Sequence, residues 1–215
     1  MLRIETVEPD TLSLLKELVL MPELADFNLV GGTALSLIIG HRISYDLDFF
    51  TSQNFDVLAI VKALEAKYLP HLAFTSEPRS SMLFANIKGV KVDFIADKST
   101  ILKLPSVIEE IRFASLEDIC AMKLNAITGR GAKKDFFDLA ELLDLFSISE
   151  MMGFFKSKFH HTQTIHVLKS LNYFEDAEHQ TDIISLSNKS WHFVKKTISE
   201  ALKKHFEDES KKIIL

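Results

Sequence analysis

The chain has 215 residues, of which 47% are hydrophobic and 26% are charged, and its formal net charge is −5. This composition excludes a disordered chain and a protein that coats nucleic acid by overall positive charge, although a local basic groove is compatible with it. A single cysteine, Cys120, excludes an internal disulfide and is expected to be a small core residue. We expect a cytoplasmic protein, because the chain has no signal-like start and no uncharged segment near the roughly 18 residues of a membrane span.

The first half of the chain alternates predicted helices with predicted strands. Helical spacing predicts helices over residues 11–21, 33–40 and 54–69. Short apolar or alternating runs predict strands at 27–31 and 45–50 and a hairpin over 81–96 that turns at Lys88–Gly89.

The pattern changes to helices after about Leu104. Predicted helices follow at 115–131, 133–146, 148–160, 162–173 and 189–206. We therefore predict an α+β fold over residues 1–104 followed by a helical region over residues 105–215.

The stretch YDLDFF, residues 45–50, sets Asp46 and Asp48 one residue apart in an apolar, aromatic run. Alternation along a strand puts both carboxylates on one face, where they repel by about 4 kcal/mol at ~4 Å for a dielectric constant near 20. A buried strand carries such a pair only if a cation compensates the charge or a carboxyl pKa rises. The pair thus predicts a nearby cation, unless it is exposed on an edge strand.

A glycine pair, Gly31 and Gly32, joins the strand at 27–31 to the next helix. Glycine lets the backbone approach a ligand closely, and the amides at the helix start point at an anion that the helix dipole favours. Thr33 or Ser36 could add a hydroxyl contact. These features suit a bound nucleoside triphosphate.

Asp46 and Asp48 would then hold Mg²⁺ against the phosphates, because magnesium takes one or two carboxylates together with phosphate oxygens and water. Alternation in VKVDFIA turns Val92 and Phe94 toward the core and leaves Asp93 on the opposite face. With two ions about 4 Å apart, Asp93 would help to fix the ion that activates the attacking oxygen. An ordinary exposed strand residue is the alternative for Asp93.

Three segments together resemble a known family. GGTALSLIIGHRISYDLDFF (31–50), VDF (92–94) and EDICAMKLNAITGRGAKKDFFDLAEL (117–142) look like successive motifs of the AbiEii/AbiGii-type nucleotidyltransferases, which belong to the polymerase-β-like superfamily. That family includes toxins of toxin–antitoxin and abortive-infection systems. A Gly-Gly turn followed at this distance by R-x-S-x-D-x-D is specific, whereas a bare DxD is not. The resemblance, over about residues 27–145, implies a nucleotidyltransferase-type mixed sheet with flanking helices, and a helical region that completes the active-site cleft.

The resemblance implies roles for individual residues. The metal ligands would be Asp46, Asp48 and Asp93. The nucleotide would be bound by Gly31, Gly32, Thr33, Arg42, Lys123 and Arg130. Lys123 would lie against the triphosphate, Asp135 would support the active site or act as a base, and Lys134 would edge the same cleft.

The implied enzyme is an Mg²⁺-dependent nucleotidyltransferase, with one or two ions, that moves a nucleoside monophosphate from a nucleoside triphosphate to an acceptor hydroxyl. The acceptor would be an RNA or tRNA 3′ end or a protein, and a cognate antitoxin is an expected partner. Many relatives carry serine where this chain has Gly32. The resemblance therefore implies that backbone amides, and not a serine hydroxyl, would contact the phosphate here. The alternatives are a non-catalytic nucleotide- or partner-binding regulator on the same scaffold, and a nucleotidyltransferase for small molecules such as antibiotics.

Several of these residues also have structural alternatives. Lys123 could be a helix lysine that snorkels to solvent, and Asp135 could serve only as an acid at a helix start. Asp138 could pair with a nearby lysine, and Arg42 could brace the carboxylates or contact phosphate. Two groups are expected to be structural, namely the histidines His160, His161 and His166 at a helix junction and the packing residues Phe49, Phe50, Phe136 and Phe137.

Overall fold

The computed structural model describes residues 1–160 and 163–214, with side chains described as far as residue 211. The chain divides into two compact units, Met1–Ser115 and Leu116–Leu215. The first unit holds all the strands of the described residues, and the second is helical. The predicted α+β class is confirmed.

The first unit is built on a mixed seven-stranded sheet with the strand order β3-β4-β5-β2-β1-β7-β6. Strand β2 runs parallel to β5, and β1 runs parallel to β7, while the other neighbouring pairs are antiparallel. The strands are β1 (Asn28–Val30), β2 (Leu47–Thr51), β3 (Leu72–Phe74), β4 (Met82–Ile87), β5 (Val90–Ala96), β6 (Ser106–Ile108) and β7 (Ile111–Phe113). The helices of this unit are α1 (Pro9–Val19), α2 (Gly31–Ile39) and α3 (Val57–Tyr68).

Alternation along the strands separates a core face from the face that carries the aspartates. Phe49 on β2 and Val92 and Phe94 on β5 are at most 2% exposed, and the two phenylalanine rings stack with centroids 5.6 Å apart. Burying one such side chain contributes roughly 1.5–3 kcal/mol. A shift of one residue in the pairing of β2 with β5 would expose these side chains. Packing of the core therefore fixes the register that leaves Asp48 and Asp93 on the other face.

The predicted hairpin between β4 and β5 is confirmed. Its two turn residues, Lys88 and Gly89, have φ values of 52° and 86°. Two positive φ angles match the turn whose twist suits a two-residue hairpin. The turn lets β5 pair with β4 on one side and with β2 on the other.

The second unit is organised around α4. Its helices are α4 (Leu116–Arg130), α5 (Lys133–Leu142), α6 (Ile148–Lys158), α7 (Thr164–Leu171), α8 (Glu175–Glu178) and α9 (Trp191–Ile214). Helix α4 contacts α5, α6 and α7, and a buried ion pair of 2.8 Å between Lys158 and Asp118 joins it to α6. Phe136 and Phe137 pack against Trp191 with centroids 5.9 and 6.0 Å apart, which agrees with their predicted packing role.

Cys120 on α4 is fully buried. Burial and then the nearby charge of Glu117 raise the pKa of its thiol to about 12. A neutral, inaccessible thiol agrees with the predicted core residue.

The predictions missed the short elements β3, β6, β7 and α8, and α9 extends beyond the predicted end at residue 206. Each missed strand has three residues, too few for alternation to stand out from the neighbouring sequence. Because β6 and β7 continue the sheet after Leu104, the first unit ends at Ser115 and not at the predicted residue 104. None of the helices in the described residues combines the length and hydrophobicity that a membrane span requires.

Candidate active site

Strand β1 passes into α2 at Gly31 without an intervening loop residue. Gly31 has a φ of +71°, and a Cβ at this position would collide with Oδ2 of Asp48 and lie 3.2 Å from its Cγ. The left-handed backbone and the close approach of the carboxylate both favour glycine. The predicted phosphate-binding turn is therefore the first turn of α2, and the Asp48 carboxylate lies directly beside it.

The paired aspartates lie where β2 begins. Asp48 is the second residue of β2, whereas Asp46 comes before the strand, which starts at Leu47. This differs from the prediction that both lie on the strand. Because β2 lies between β5 and β1, the alternative of an exposed pair on an edge strand is excluded. Both carboxylate residues are half-buried.

Asp93 on β5 is the register partner of Asp48 on β2. Directly opposed residues on neighbouring strands project to the same side of the sheet, so the two carboxylates lie next to each other. Asp93 is 7% exposed. Asp93 therefore shares a face of the sheet with Asp48, which spacing alone did not show, and the exposed-residue alternative does not hold.

Lys91 brings a cation to these carboxylates. It lies two residues before Asp93 on β5, and its Nζ is 2.7 Å from Oδ2 of Asp93. Burial lowers the pKa of Lys91, but the hydrogen bond and charge of Asp93, followed by the charges of Asp48 and Asp46, give a net increase. The charges of all three acids therefore act on one ammonium group.

The carboxylates suit a hard cation such as Mg²⁺ in the chemistry of their oxygens. Oδ1 of Asp93 is buried and has no hydrogen-bond partner among the described residues, and an orphaned carboxylate oxygen is costly unless a ligand or ion meets it. The described residues contain no group of three or more His, Cys, Asp or Glu side chains arranged to hold a metal ion. The expected convergence of Asp46, Asp48 and Asp93 in one metal shell is therefore not seen there. One or two carboxylates with phosphate and water suffice for magnesium, so the donor set still fits.

The hydroxyl of Thr33 is engaged within the first unit. Thr33 is 1% exposed, donates a short hydrogen bond to the backbone carbonyl of Asp46 and lies 2.8 Å from the hydroxyl of Ser44. It therefore supports the segment before β2, and a nucleotide contact from Thr33 would have to come from its backbone amide. Ser36 is fully buried, which leaves its hydroxyl unsuited to a phosphate contact.

Arg42 is also buried, at 4% exposure, and its Nη1 donates to the carbonyl of Ile43 at 3.0 Å. This burial favours the bracing alternative over a direct phosphate contact. Its charge lies within four residues of Asp46 along the chain.

The second unit brings the predicted Lys123 and Asp135 together. Nζ of Lys123 lies 2.9 Å from Asp135 and 2.5 Å from Asp138, and all three side chains are almost completely buried. Arg130 donates from Nε and Nη2 to the two Asp135 oxygens at 2.8 and 2.9 Å, while its side chain stays 57% exposed. Burial of the ammonium excludes the alternative of a lysine that snorkels to solvent, and Asp138 pairs with Lys123 of α4, not with a lysine predicted from its own neighbours.

The charge balance around Asp135 sets its ionisation. Burial raises the pKa of Asp135, but the charge of Lys123 and the hydrogen bond and charge of Arg130 outweigh this and lower it overall. Asp138 opposes the decrease. Asp135 therefore stays ionised at neutral pH and holds Lys123 and Arg130 in place, at the first turn of α5.

Of the histidine group, His160 and His166 are described, whereas His161 lies outside the described residues. Neither of the described pair belongs to a metal-ligand group. Thr162, the predicted start of the following helix, is also outside the described residues. Helix α7 begins at Thr164.

Lys91 belongs to the site but was not predicted as a member of it. Its signal was present in VKVDF, because residues two apart on a strand share a face and opposite charges there attract. Only the aspartate of that pair was noted. Asp138 was noted only as a structural partner, although it shares Lys123 with Asp135.

A family model and a relative both match most of the chain. The family model described as "Nucleotidyl transferase AbiEii toxin, Type IV TA system" matches residues 13–210. A relative from Aquifex aeolicus, described as uncharacterized protein aq_aa25, is 33% identical over 185 residues, which cover 82% of this chain and 88% of the relative. The family resemblance inferred from the motifs is confirmed.

Two solved structures share the fold. MenT4, a nucleotidyltransferase toxin from Mycobacterium tuberculosis, has a TM-score of 0.56 and 16% identity, over 90% of this chain and 81% of its own. JHP933 from Helicobacter pylori has a TM-score of 0.54 and 21% identity, over 96% and 97% of the two chains. At these identities the likeness concerns the fold.

Proposed function

The chain belongs to the AbiEii family of nucleotidyltransferase toxins, and on that premise we propose that it transfers a nucleoside monophosphate from a nucleoside triphosphate to an acceptor hydroxyl with the help of Mg²⁺. In this reaction the acceptor oxygen forms a bond to the α-phosphorus while the bond to pyrophosphate breaks. Nucleotidyl transfer and a toxin role follow from the family. The metal, the residues and the acceptor are the proposal.

The observation that carries the proposal is the arrangement around Asp48. Its carboxylate lies against Gly31 at the start of α2, and Asp93 is its neighbour across the parallel strands β2 and β5. An anion-binding helix start beside two carboxylates has little purpose in a purely structural sheet, because the acids would repel the anion. The combination suits a ligand that carries both phosphate and a divalent cation.

In the first unit, different groups would bind the phosphates and the metal ion. The backbone amides of the first turn of α2, including those of Gly32 and Thr33, would bind the phosphates. Asp46, Asp48 and Asp93 would supply carboxylates to magnesium, one or two of them to each ion. Bound magnesium would neutralise phosphate charge and activate the attacking hydroxyl. The orphaned Oδ1 of Asp93 supports its share of this task.

In the second unit, we propose that Lys123 acts mainly through its neighbours. Its ammonium is shared by Asp135 and Asp138 and is shielded from solvent, so it compensates two buried acids. Asp135 in turn fixes the guanidinium of Arg130, which is exposed enough to meet an anionic ligand. Nucleotide binding in this unit is therefore assigned to Arg130, with Lys123 and Asp135 as its support.

The acceptor is an RNA or tRNA 3′ end or a protein hydroxyl, and a cognate antitoxin would control the activity. The acceptor would be tested by incubating the purified protein with each α-labelled nucleoside triphosphate, Mg²⁺ and total RNA. Label that ribonuclease releases identifies an RNA acceptor, and label that protease releases identifies a protein acceptor. Binding without label in either fraction would contradict a transferase with these acceptors.

Variants connect the reaction to the carboxylates. Asp46→Asn, Asp48→Asn and Asp93→Asn should each lower transfer at least ~100-fold, because a misplaced or missing catalytic group costs about that much. Asp26→Asn makes the same change at an exposed position in the first unit and should transfer at the wild-type rate. Thermal unfolding would verify that each variant is folded. Wild-type transfer by both Asp48→Asn and Asp93→Asn would refute the proposed site, and expression of Asp48→Asn should no longer arrest growth.

A further inference from the structure

We propose that Lys91 is a built-in counter-cation of the carboxylate site, which competes with the divalent ion and so limits how tightly that ion is held. The proposal rests on the proposed function. It makes Lys91 a positioning residue, because its ammonium contacts Asp93 and not the reacting atoms.

The geometry begins on β5. Lys91 and Asp93 project from the same face of the strand, and Nζ lies 2.7 Å from Oδ2. The lysine side chain is 55% exposed, whereas that of Asp93 is 10% exposed. The ammonium therefore reaches a buried carboxylate from the solvent side, along a path that an ion from solution could also take.

The sheet register extends this contact to the other acids. Asp48 is opposite Asp93, and the pairing of Leu47 with Val92 brings the start of β2 beside Lys91. The charges of Asp48 and Asp46 both act on the Lys91 ammonium. The positive charge of Lys91 thus offsets part of the repulsion between the neighbouring aspartates, and this charge belongs to the chain itself.

Asp93 still has capacity for a second cation. Its Oδ2 accepts from Lys91, whereas its Oδ1 is buried without a hydrogen-bond partner among the described residues. A divalent ion at Asp93 would share one carboxylate with the positive ammonium. Like charges this close weaken ion binding on the order of ten-fold even in a highly polar medium.

An opposite effect is conceivable, since a hydrogen bond to a ligating carboxylate can orient it for the metal. The exposure of Lys91 decides between the two. A flexible, half-exposed lysine orients a carboxylate weakly, whereas its full charge acts on the ion in every conformation near Asp93. We therefore expect repulsion to dominate.

The experiment measures Mn²⁺ and Mg²⁺ binding to the full chain by calorimetry, and the rise in unfolding temperature that each ion causes. Lys91→Met should bind Mn²⁺ at least five-fold more tightly than the wild type and gain more stability from it, because tighter binding to the folded state raises stability further. It should also be less stable than the wild type in EDTA, because Asp93 then loses its ion pair with Lys91. Lys91→Arg should resemble the wild type.

Lys67→Met is the matched control. Lys67 pairs with Glu17 at 3.5 Å in the same unit and has a side-chain exposure of 42%, so the variant makes the same charge change away from the aspartates. Its ion affinity should equal that of the wild type. If Lys91→Met binds Mn²⁺ as weakly as the wild type or more weakly, the inference is overturned while the proposed function stands. If the wild type binds neither ion and transfers no nucleotide, the proposed function itself fails.

Discussion

Replacing Gly31 with alanine tests whether the position of the Asp48 carboxylate matters to the reaction. Gly31 has a φ of +71°, and its missing Cβ would collide with Oδ2 of Asp48. Gly89 offers a matched control, because its φ is +86° and a Cβ there would meet nothing within 4 Å. The two variants share the backbone strain and differ in the collision with Asp48.

The expected magnitudes separate stability from activity. Alanine in the left-handed region costs about 1–2 kcal/mol, so both variants should lose this much stability. At Gly31 the carboxylate must also leave its preferred rotamer, which adds about 0.5–1.5 kcal/mol because the clashing atom lies at the end of a side chain. Both proteins should fold. Displacement of the proposed metal-binding carboxylate by about 1 Å should nevertheless lower transfer about 100-fold in Gly31→Ala.

Urea unfolding would measure the stabilities, and transfer from a labelled nucleoside triphosphate at saturating Mg²⁺ would measure the activities. Gly89→Ala should transfer nearly as fast as the wild type. A folded Gly31→Ala variant that transfers within about three-fold of Gly89→Ala would refute the reasoning, because ~0.7 kcal/mol is too small for a displaced catalytic carboxylate.

Two further predictions concern the buried charges of the second unit. Lys123→Met should lower the free energy of unfolding by about 3–5 kcal/mol, because it leaves two buried carboxylates without their shared cation. Arg130→Met changes an exposed side chain and should lower it by about 1 kcal/mol or less in the same urea titration. Equal losses of stability in the two variants would contradict the assigned network. Asp135→Asn tests the pH dependence: the pKa of Asp135 is lowered from its ordinary 3.8, so its contribution is fully present above about pH 4 and is lost as the pH falls through the lower folded value. The stability difference between wild type and Asp135→Asn should therefore be large at pH 7 and shrink toward pH 3, and a constant difference would show that ionisation of Asp135 is unimportant.

Local patterns were sufficient for much of the first unit. The hairpin at Lys88–Gly89, the helix that ends at Gly40 and the face occupied by Asp93 follow from turn residues and alternation alone. These features depend on residues a few positions apart, whose steric preferences act before any tertiary contact forms. The missed strands β6 and β7 have three residues each and gain their hydrogen bonds from each other and from distant β1, so no local signal marks them.

In the candidate site, too, some features were predictable from the local sequence and others depended on the fold. The glycine pair and the DxD aspartates were recognisable because their spacing is a chemical requirement that stays within one stretch of chain. The cation that compensates the acids was decided by the fold. The buried phenylalanines set the register between β2 and β5, and this register puts Asp48 beside Asp93 and near the charge of Lys91.

By itself, then, the sequence determined most of the secondary structure around the motif, although Asp46 lies before the strand, and it determined the kind of chemistry that the carboxylates suit. The tertiary structure alone decided which charged groups neutralise one another, because ion pairing depends on distances of a few ångströms between residues that only the packing of the core brings together.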